Sequence, residues 1–308
     1  MILPAEKVET SPRLGVFNDL TNEEYHRGGG ISKSGLDDIA QSPLHYITKR
    51  RHPRPSTPAM VIGSAAHKII LEPDTFGDEF IAEPVNAPRR PTAAQLNAKK
   101  ASPAALLSIA FWEKWDEENG GKIMLSTKPG DDPFWQPSDW DRVHRMRDAV
   151  ADHSIASVLL DPDQGKAELS VFWMDRAYKK LCKCRPDFIN EAHNLAVDLK
   201  TTENASYTES GKSCAKWRYH GQDPWYRDGL MEAGRPVNGF VFVFVEKSPP
   251  YGVGVYIITE EARHVGREQN RRLLETYAEC HAKDEWPGYP TDIRDLELPR
   301  WGLTGNIS

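Results

Sequence analysis

Two aspartates and a lysine fall within one short stretch, Cys184-Arg185-Pro186-Asp187-Phe188-Ile189-Asn190-Glu191-Ala192-His193-Asn194-Leu195-Ala196-Val197-Asp198-Leu199-Lys200-Thr201-Thr202. Asp198 and Lys200 lie on an apolar strand among Leu195, Val197 and Leu199, and Asp187 lies just before the turn that leads back into that strand. Charged groups in such a place are costly unless they are paired or hold a metal. A hairpin brings the two carboxylates to one sheet edge, where their repulsion pushes one pKa up and resists full ionisation. A divalent cation relieves that repulsion, and carboxylate oxygens suit hard Mg²⁺ or Mn²⁺. Alternate residues of a strand share a face, so Lys200 points to the side of Asp198 while Leu199 turns into the core. The set suits hydrolysis of a phosphodiester. A metal lowers the pKa of the attacking water, and the lysine orients or deprotonates that water and offsets charge developing on phosphate.

Two further residues can join this cluster. His67 lies on a helix whose small Ala65 and Ala66 permit close approach, and its ring nitrogen suits the same metal, although an isolated histidine also serves as an ordinary core or surface residue. Glu168, on the strand before Asp187, either completes the acidic cluster or pairs with a Lys or Arg.

The elements that must position these groups are legible from the hydrophobic period. Residues 1–30 are polar and end in Gly28-Gly29-Gly30, which reads as a loosely held arm with a hinge. Ser34, as N-cap, and Ser42-Pro43 open two short helices, and Met60 to Leu71 continues as a helix that Pro73 ends. Residues 84–136 read as a helical insertion, and Ser138 opens a helix running through Val143, Met146, Val150 and Ile155 to near Leu160. The period then changes to two: AELSVFWM, KKLCKCRPDFI and LAVDLKTT form three strands of an antiparallel meander. Residues 206–234 return to helix, GFVFVFVEK and YGVGVYII are two more strands, and Thr259 to Lys283 is a closing helix. The expected fold is α/β, a mixed central sheet of about five strands flanked by helices in a single domain over 31–308.

Composition bounds the partners. The 308 residues are 39% hydrophobic and 27% charged, and no apolar run approaches the ~18 residues of a membrane span. The N-terminus lacks the pattern of a signal peptide, so a cytoplasmic location is expected. A net charge of −6 argues against coating nucleic acid by bulk electrostatics and leaves room for local basic grooves, such as Lys179-Lys180 with Lys183 and Arg185; each basic run alone also reads as a solvated face. Cys182 and Cys184 form C-x-C on a strand without the further ligands of a thiolate site, and reduced thiols are the simpler reading.

The ordered set His67, Glu168, Asp187, Asp198-Leu199-Lys200, then Gln222 and Tyr226, resembles the PD-(D/E)xK nuclease superfamily in its RecB-like branch. The segments GSAAHKIILEP, CKCRPDFI, VDLKTTENAS and WRYHGQDPWYRDG, spread between about Ile31 and His264, are similar to the RecE-like exonucleases, the family of the exodeoxyribonuclease VIII nuclease domain. The resemblance implies a restriction-endonuclease-like fold. It implies a Mg²⁺-dependent exonuclease digesting linear double-stranded DNA from the 5′ end to leave a 3′ single strand for a RecT-type annealing partner, in a toroidal homotetramer. By the same analogy His67, Asp187, Asp198 and the Leu199 backbone carbonyl hold metal, Lys200, Glu168, Gln222 and Tyr226 serve catalysis, and Ser32, Lys33, Ser34 and Arg185 meet DNA, the first three at a helix N-terminus. Gly221 and Pro224 interrupt the Q-x-x-x-Y segment, so the helix either starts near Asp223 or bends there. Trp217, Tyr219 and Trp225 either pack in the core or stack on unpaired bases. Two other readings share these residues: a nuclease for single-stranded or nicked DNA, and a noncatalytic DNA-end-binding module.

Overall fold

The computed structural model of the protein describes residues 13–98 and 100–297. The chain opens with strand β1 (Gly15–Phe17) and helix α1 (Asn22–Arg27), the latter held by a capping box between Thr21 and Glu24. Helices α2 (Lys33–Gln41), α3 (Pro43–Arg51) and α4 (Pro58–Leu71) follow, each started by a hydroxyl cap: Ser32, Ser42 and Thr57 accept from the third backbone N–H onward, and Pro43 and Pro58 occupy the first turn, where no N–H is needed. Helix α5 (Phe76–Glu79) and strand β2 (Phe80–Ala82) precede the insertion, which carries α6 (Ala93–Leu96), α7 (Pro103–Asn119) and β3 (Ile123–Leu125), and β2 and β3 pair in parallel. Helix α8 (Asp139–Asp152) ends earlier than its apolar period suggests, and α9 (Ala156–Leu159) resumes after His153.

The expected meander is present, with two of its strands broken. The first run overlaps β4 (Gly165–Ala167) only at Ala167 and continues as β5 (Ser170–Met174), and the second divides into β6 (Leu181–Cys184) and β7 (Phe188–Asn190). The first break falls at Glu168, whose φ is +55°, and the second at Arg185-Pro186-Asp187, where proline offers no N–H to a ladder. Each run therefore crosses from one sheet to another. β1, β5 and β6 form an antiparallel three-stranded sheet, while β4 and β7 join β8 (Leu195–Thr202), β9 (Gly239–Glu246) and β10 (Val253–Tyr256) in a sheet of order β10-β9-β8-β7-β4. Only the β8–β9 pair is parallel in that sheet, its crossover supplied by α10 (Tyr207–Lys216) and α11 (Tyr219–Glu232). Helix α12 (Glu260–Lys283) closes the molecule.

The large sheet is buried on both faces. Val197, Leu199, Val241, Val243 and Val245 face α4 and α8 in one core. Ala196, Phe240, Phe242 and Phe244 face α11, α12 and α2 in the other. The three phenylalanines are buried almost completely, each contributing about 1.5–3 kcal/mol of apolar burial. Asp198 and Lys200 share the parity of this phenylalanine face, so each charge stands at the edge of an apolar surface.

The segment read as a loosely held arm is docked from Gly15 onward; residues 1–12 lie outside the described residues. β1 extends the three-stranded sheet, and Lys183 fixes α1 by donating to the carbonyls of Tyr25 (2.7 Å) and Gly28 (2.8 Å). Lys183 is buried, which corrects its reading as part of a solvated basic face. No described helix is long and apolar enough to cross a membrane.

Candidate active site

The two strand breaks create the acidic centre. Glu168 and Asp187 stand at the two crossings, and the Glu168 N–H donates to the Asp187 carbonyl at 3.0 Å, so the bends lie side by side. Across the β7–β8 hairpin, the Leu199 N–H donates to Asp187 Oδ2 at 2.7 Å and aims that carboxylate. His67, on α4, places Nδ1 3.6 Å from the same oxygen. One ligating atom each from His67, Glu168 and Asp187 lie within 4.8 Å of one another, the only such group of His, Cys, Asp and Glu among the described residues.

Asp198 is turned a different way. Its carboxylate, 1% exposed, pairs with Lys200 Nζ and accepts from Gln222 Nε2. The Lys200 ammonium also lies 4.7 Å from the centre of the Tyr219 ring, a cation–π contact that spacing alone did not reveal. Glu168 pairs with Arg185 Nε at 2.8 Å, and Arg185 reaches the Leu20 carbonyl at 3.1 Å. The arginine expected to meet DNA is thus mostly occupied within the protein. Both readings of Glu168 hold together, since it joins the acidic cluster and has an arginine partner.

Burial dominates the electrostatics here. It pushes Asp198 up to about 6, with Asp187 adding repulsion, and Glu168 up to about 8, again reinforced by Asp187. Asp187 is raised by burial as well. Burial and then Lys200 push His67 down to about 4, so the ring is neutral at pH 7 and its lone pair is available. Burial alone would lower Lys200, but Asp198 and Asp187 outweigh it and hold the ammonium above its ordinary value. The lysine therefore stays charged, which favours orienting water and phosphate over removing a proton.

Helix α11 shows how Gln222 reaches Asp198. The helix runs unbroken through Pro224 from Arg218, whose φ of +54° turns the chain sharply after α10. Pro224 cannot bond the carbonyl of His220, and α12 passes that carbonyl at Gly266, where an added Cβ would lie 2.0 Å from the oxygen. Asn270 then donates to the neighbouring Gly221 carbonyl at 2.6 Å. With the helix continuous, Gln222 and Tyr226 share a face, and both line the cleft. Of the two alternatives at Pro224 that the sequence left open, a start near Asp223 is ruled out, because the helix already begins at Tyr219.

The wall opposite is built from α2 and the α10–α11 elbow. Ser32 Oγ caps α2 by accepting from Gly35 N (3.3 Å) and lies 3.0 Å from Ser34 Oγ. Lys33, expected to meet DNA, is 7% exposed; it donates to the Trp217 carbonyl (2.8 Å) and pairs with Asp37 (2.7 Å). Arg218 joins Asp37 at 2.6 Å and Asn270 at 3.2 Å. Nothing in the local pattern marks Asp37 or Arg218, which are 181 residues apart in sequence. A cavity of about 420 Å³ brings Ser32, Lys33, Ser34, Lys200, Gln222 and Tyr226 together, and a second of about 670 Å³ contains His67. The two share Glu168 and Arg185, so the candidate residues line one cleft in two lobes.

Of the aromatic residues, Trp225 packs on Trp173 and donates to the Lys183 carbonyl, and Tyr219 stacks on Phe242. Cys182 and Cys184 are buried, and burial raises both thiols.

A sheet of this order, with Glu168 and Asp187 at its strand breaks and Asp198 and Lys200 on β8, defines the restriction-endonuclease-like class of fold. The chain belongs to the family described as PDDEXK-like domain of unknown function (DUF3799), whose profile matches residues 32–295. Among solved structures it is similar to a "putative exonuclease" from Eubacterium rectale, with a TM-score of 0.56 and 12% sequence identity over 94% of this chain and 99% of that one. No curated protein matches the chain.

Proposed function

We propose that the protein is a metal-dependent nuclease acting on the ends of linear double-stranded DNA. The observation that carries this reading is the convergence of His67, Glu168 and Asp187 beside the Asp198–Lys200 pair. Family membership and the solved exonuclease of the same fold support it. The donor set fits a hard divalent cation: one neutral imidazole and carboxylates whose pKa values are raised by burial and mutual repulsion, a deficit of positive charge that Mg²⁺ or Mn²⁺ offsets. His67, Glu168 and Asp187 would hold it, with Asp198 and the Leu199 carbonyl beside them. When bound, the cation supplies an acidified water and neutralises charge on the scissile phosphate.

The chain's own groups do the rest. Lys200 presents a fixed cation to the phosphate, held by Asp198 on one side and Tyr219 on the other. Gln222 holds the Asp198 carboxylate in register with that lysine. Leu199 N–H fixes Asp187, and Arg185 fixes Glu168, so the cluster is set before substrate arrives. Ser32, Lys33 and Ser34 lie at the α2 N-terminus in the same cleft, suited to a strand's phosphate. Motif resemblance to the RecE-like exonucleases carries the finer reading: 5′-to-3′ polarity, a 3′ tail passed to a RecT-type annealing protein, and a ring-shaped homotetramer in the cytoplasm.

The test is digestion of a linear duplex labelled separately at its 5′ and 3′ ends, with Mg²⁺ and with EDTA. Early loss of the 5′ label with metal alone is the expected result. Early loss of the 3′ label overturns the polarity. Attack on single strands with blunt duplex spared overturns the duplex substrate, and DNA that is bound but never cut under any divalent ion overturns catalysis.

A further inference from the structure

Four aromatic residues line the lobe of the cleft that holds Lys200: Tyr25, Trp217, Tyr219 and Tyr226. Three are already engaged. Tyr25 packs on Phe172 beneath Lys183, Tyr219 stacks on Phe242 beneath Lys200, and Tyr226 sets its edge on Phe240. Trp217 differs, since it is 54% exposed and makes no ring–ring contact among the described residues. Its one ring partner is Lys216, whose Nζ lies 4.9 Å over the indole.

The backbone around Trp217, in contrast, is tightly held. Its carbonyl accepts from buried Lys33, and the next residue, Arg218, sits in the left-handed region with its guanidinium tied to Asp37 and Asn270. An exposed indole on a fixed elbow contributes little to the folded core. It is suited to a flat partner that arrives from outside.

We infer that Trp217 is a base-stacking platform for an unpaired nucleotide at the end of the strand entering the cleft. The partner is a nucleobase because the lobe also holds Lys200, the cation that meets phosphate in the nuclease reading, with Lys216 beside the indole, and a π-face beside them suits the base that a phosphate carries. Bases inside a duplex are stacked on both faces and the terminal pair has only its outer face free, whereas an unpaired terminal base can turn either face to the indole. Lys216 Nζ lies over the indole, and Trp217 remains 54% exposed to a partner from outside. The bond from Lys33 to the Trp217 carbonyl joins the phosphate-facing helix terminus to this platform, placing both contacts on one rigid wall. The inference rests on the nuclease reading and adds its substrate feature: an end whose last nucleotide is unpaired.

The experiment is a double-mutant cycle. Binding of a fluorescent duplex with two mismatched terminal nucleotides is measured in Ca²⁺, with ordinary bases or abasic residues at those two positions, for the wild type, Trp217→Ala and Trp217→Phe. Stacking of this kind is worth about 5- to 150-fold in affinity. The expected result is that wild type loses this factor on the abasic end, Trp217→Ala loses it on the normal end and is indifferent to base removal, and Trp217→Phe keeps most of it. A Trp217→Ala variant that weakens both ends equally, or neither, overturns the platform while leaving the nuclease reading in place. A wild type that binds no DNA end overturns both.

Discussion

The floor of the cleft and its wall are built on different principles. The floor, β7 and β8 with the breaks before them, comes from one stretch of chain: Asp187, Asp198 and Lys200 fall within fourteen residues, and hairpin register brings them together. The wall is assembled from α1, α2 and the α10–α11 elbow, whose ties span 158 to 184 positions: Lys183 to Tyr25, Lys33 to Trp217, Arg218 to Asp37. The floor's charges are carboxylates crowded around one lysine, whereas the wall's are cations met by backbone carbonyls and by Asp37, which Lys33 and Arg218 share. The difference separates chemistry from reach: floor changes should strike turnover, and wall changes should strike how DNA is held.

The largest effect belongs to the carboxylates. Asp187→Ala or Asp198→Ala should lower turnover by about a thousandfold or more, and Asp198→Ala should also lower the melting temperature, because it leaves the Lys200 ammonium and the Gln222 amide without their partner. Calorimetry beside the digestion assay checks both halves, and near-normal turnover by either variant breaks the contrast. Next, Lys200→Ala should cost roughly a hundred- to a thousandfold in kcat, the scale of one lost transition-state donor, with DNA affinity within a few-fold of wild type. Gln222→Ala, which leaves Asp198 without its amide, should cost about 10- to 100-fold in metal affinity or activity. On the wall, Lys33→Met should weaken DNA binding by about tenfold, the worth of one charged hydrogen bond, and leave kcat in place. A drop in kcat instead would erase the distinction between the two regions.

The smallest effect tests how the docked N-terminal segment is held. Burial, and then Arg50, lower Lys183 from 10.5 to about 8. Between those values the unfolded chain binds the proton that the folded chain has released, so stability rises with pH across that window and the penalty is fully present below about 8. Denaturation midpoints of the wild type should therefore climb relative to Lys183→Met from about pH 8 toward 10.5. A constant gap would mean that the ammonium is not desolvated there.

How much of this was legible depended on the range of each interaction. Local period revealed β5 to β10 and the long helices beside the sheet, because alternation and caps are written in neighbouring residues, but it missed β1 and most of β4. The D-x-K spacing gave the floor by geometry alone. The crossings at Glu168 and Pro186 were hidden because each run alternates smoothly through its break, and only pairing with two different sheets separates them. The uninterrupted α11 was hidden because the device that tolerates Pro224, Gly266 with Asn270 on α12, lies more than 40 residues onward. The placing of Tyr219 under Lys200 and of Arg218 on Asp37 left no local mark, whereas Lys33 and Asp37 form an i,i+4 pair on α2. The arm before Ile31 read as loose because the elements that dock it, β5 and β6 with Lys183, lie far onward in the chain.

The most direct test of the central claim is single-turnover cleavage of a linear duplex by wild type and Asp198→Ala side by side, with Mg²⁺ and after its removal by EDTA. The account requires cleavage by wild type that stops with chelation and returns when Mg²⁺ is restored, and none by the variant at equal DNA occupancy. Cleavage that survives both chelation and loss of Asp198 would contradict it.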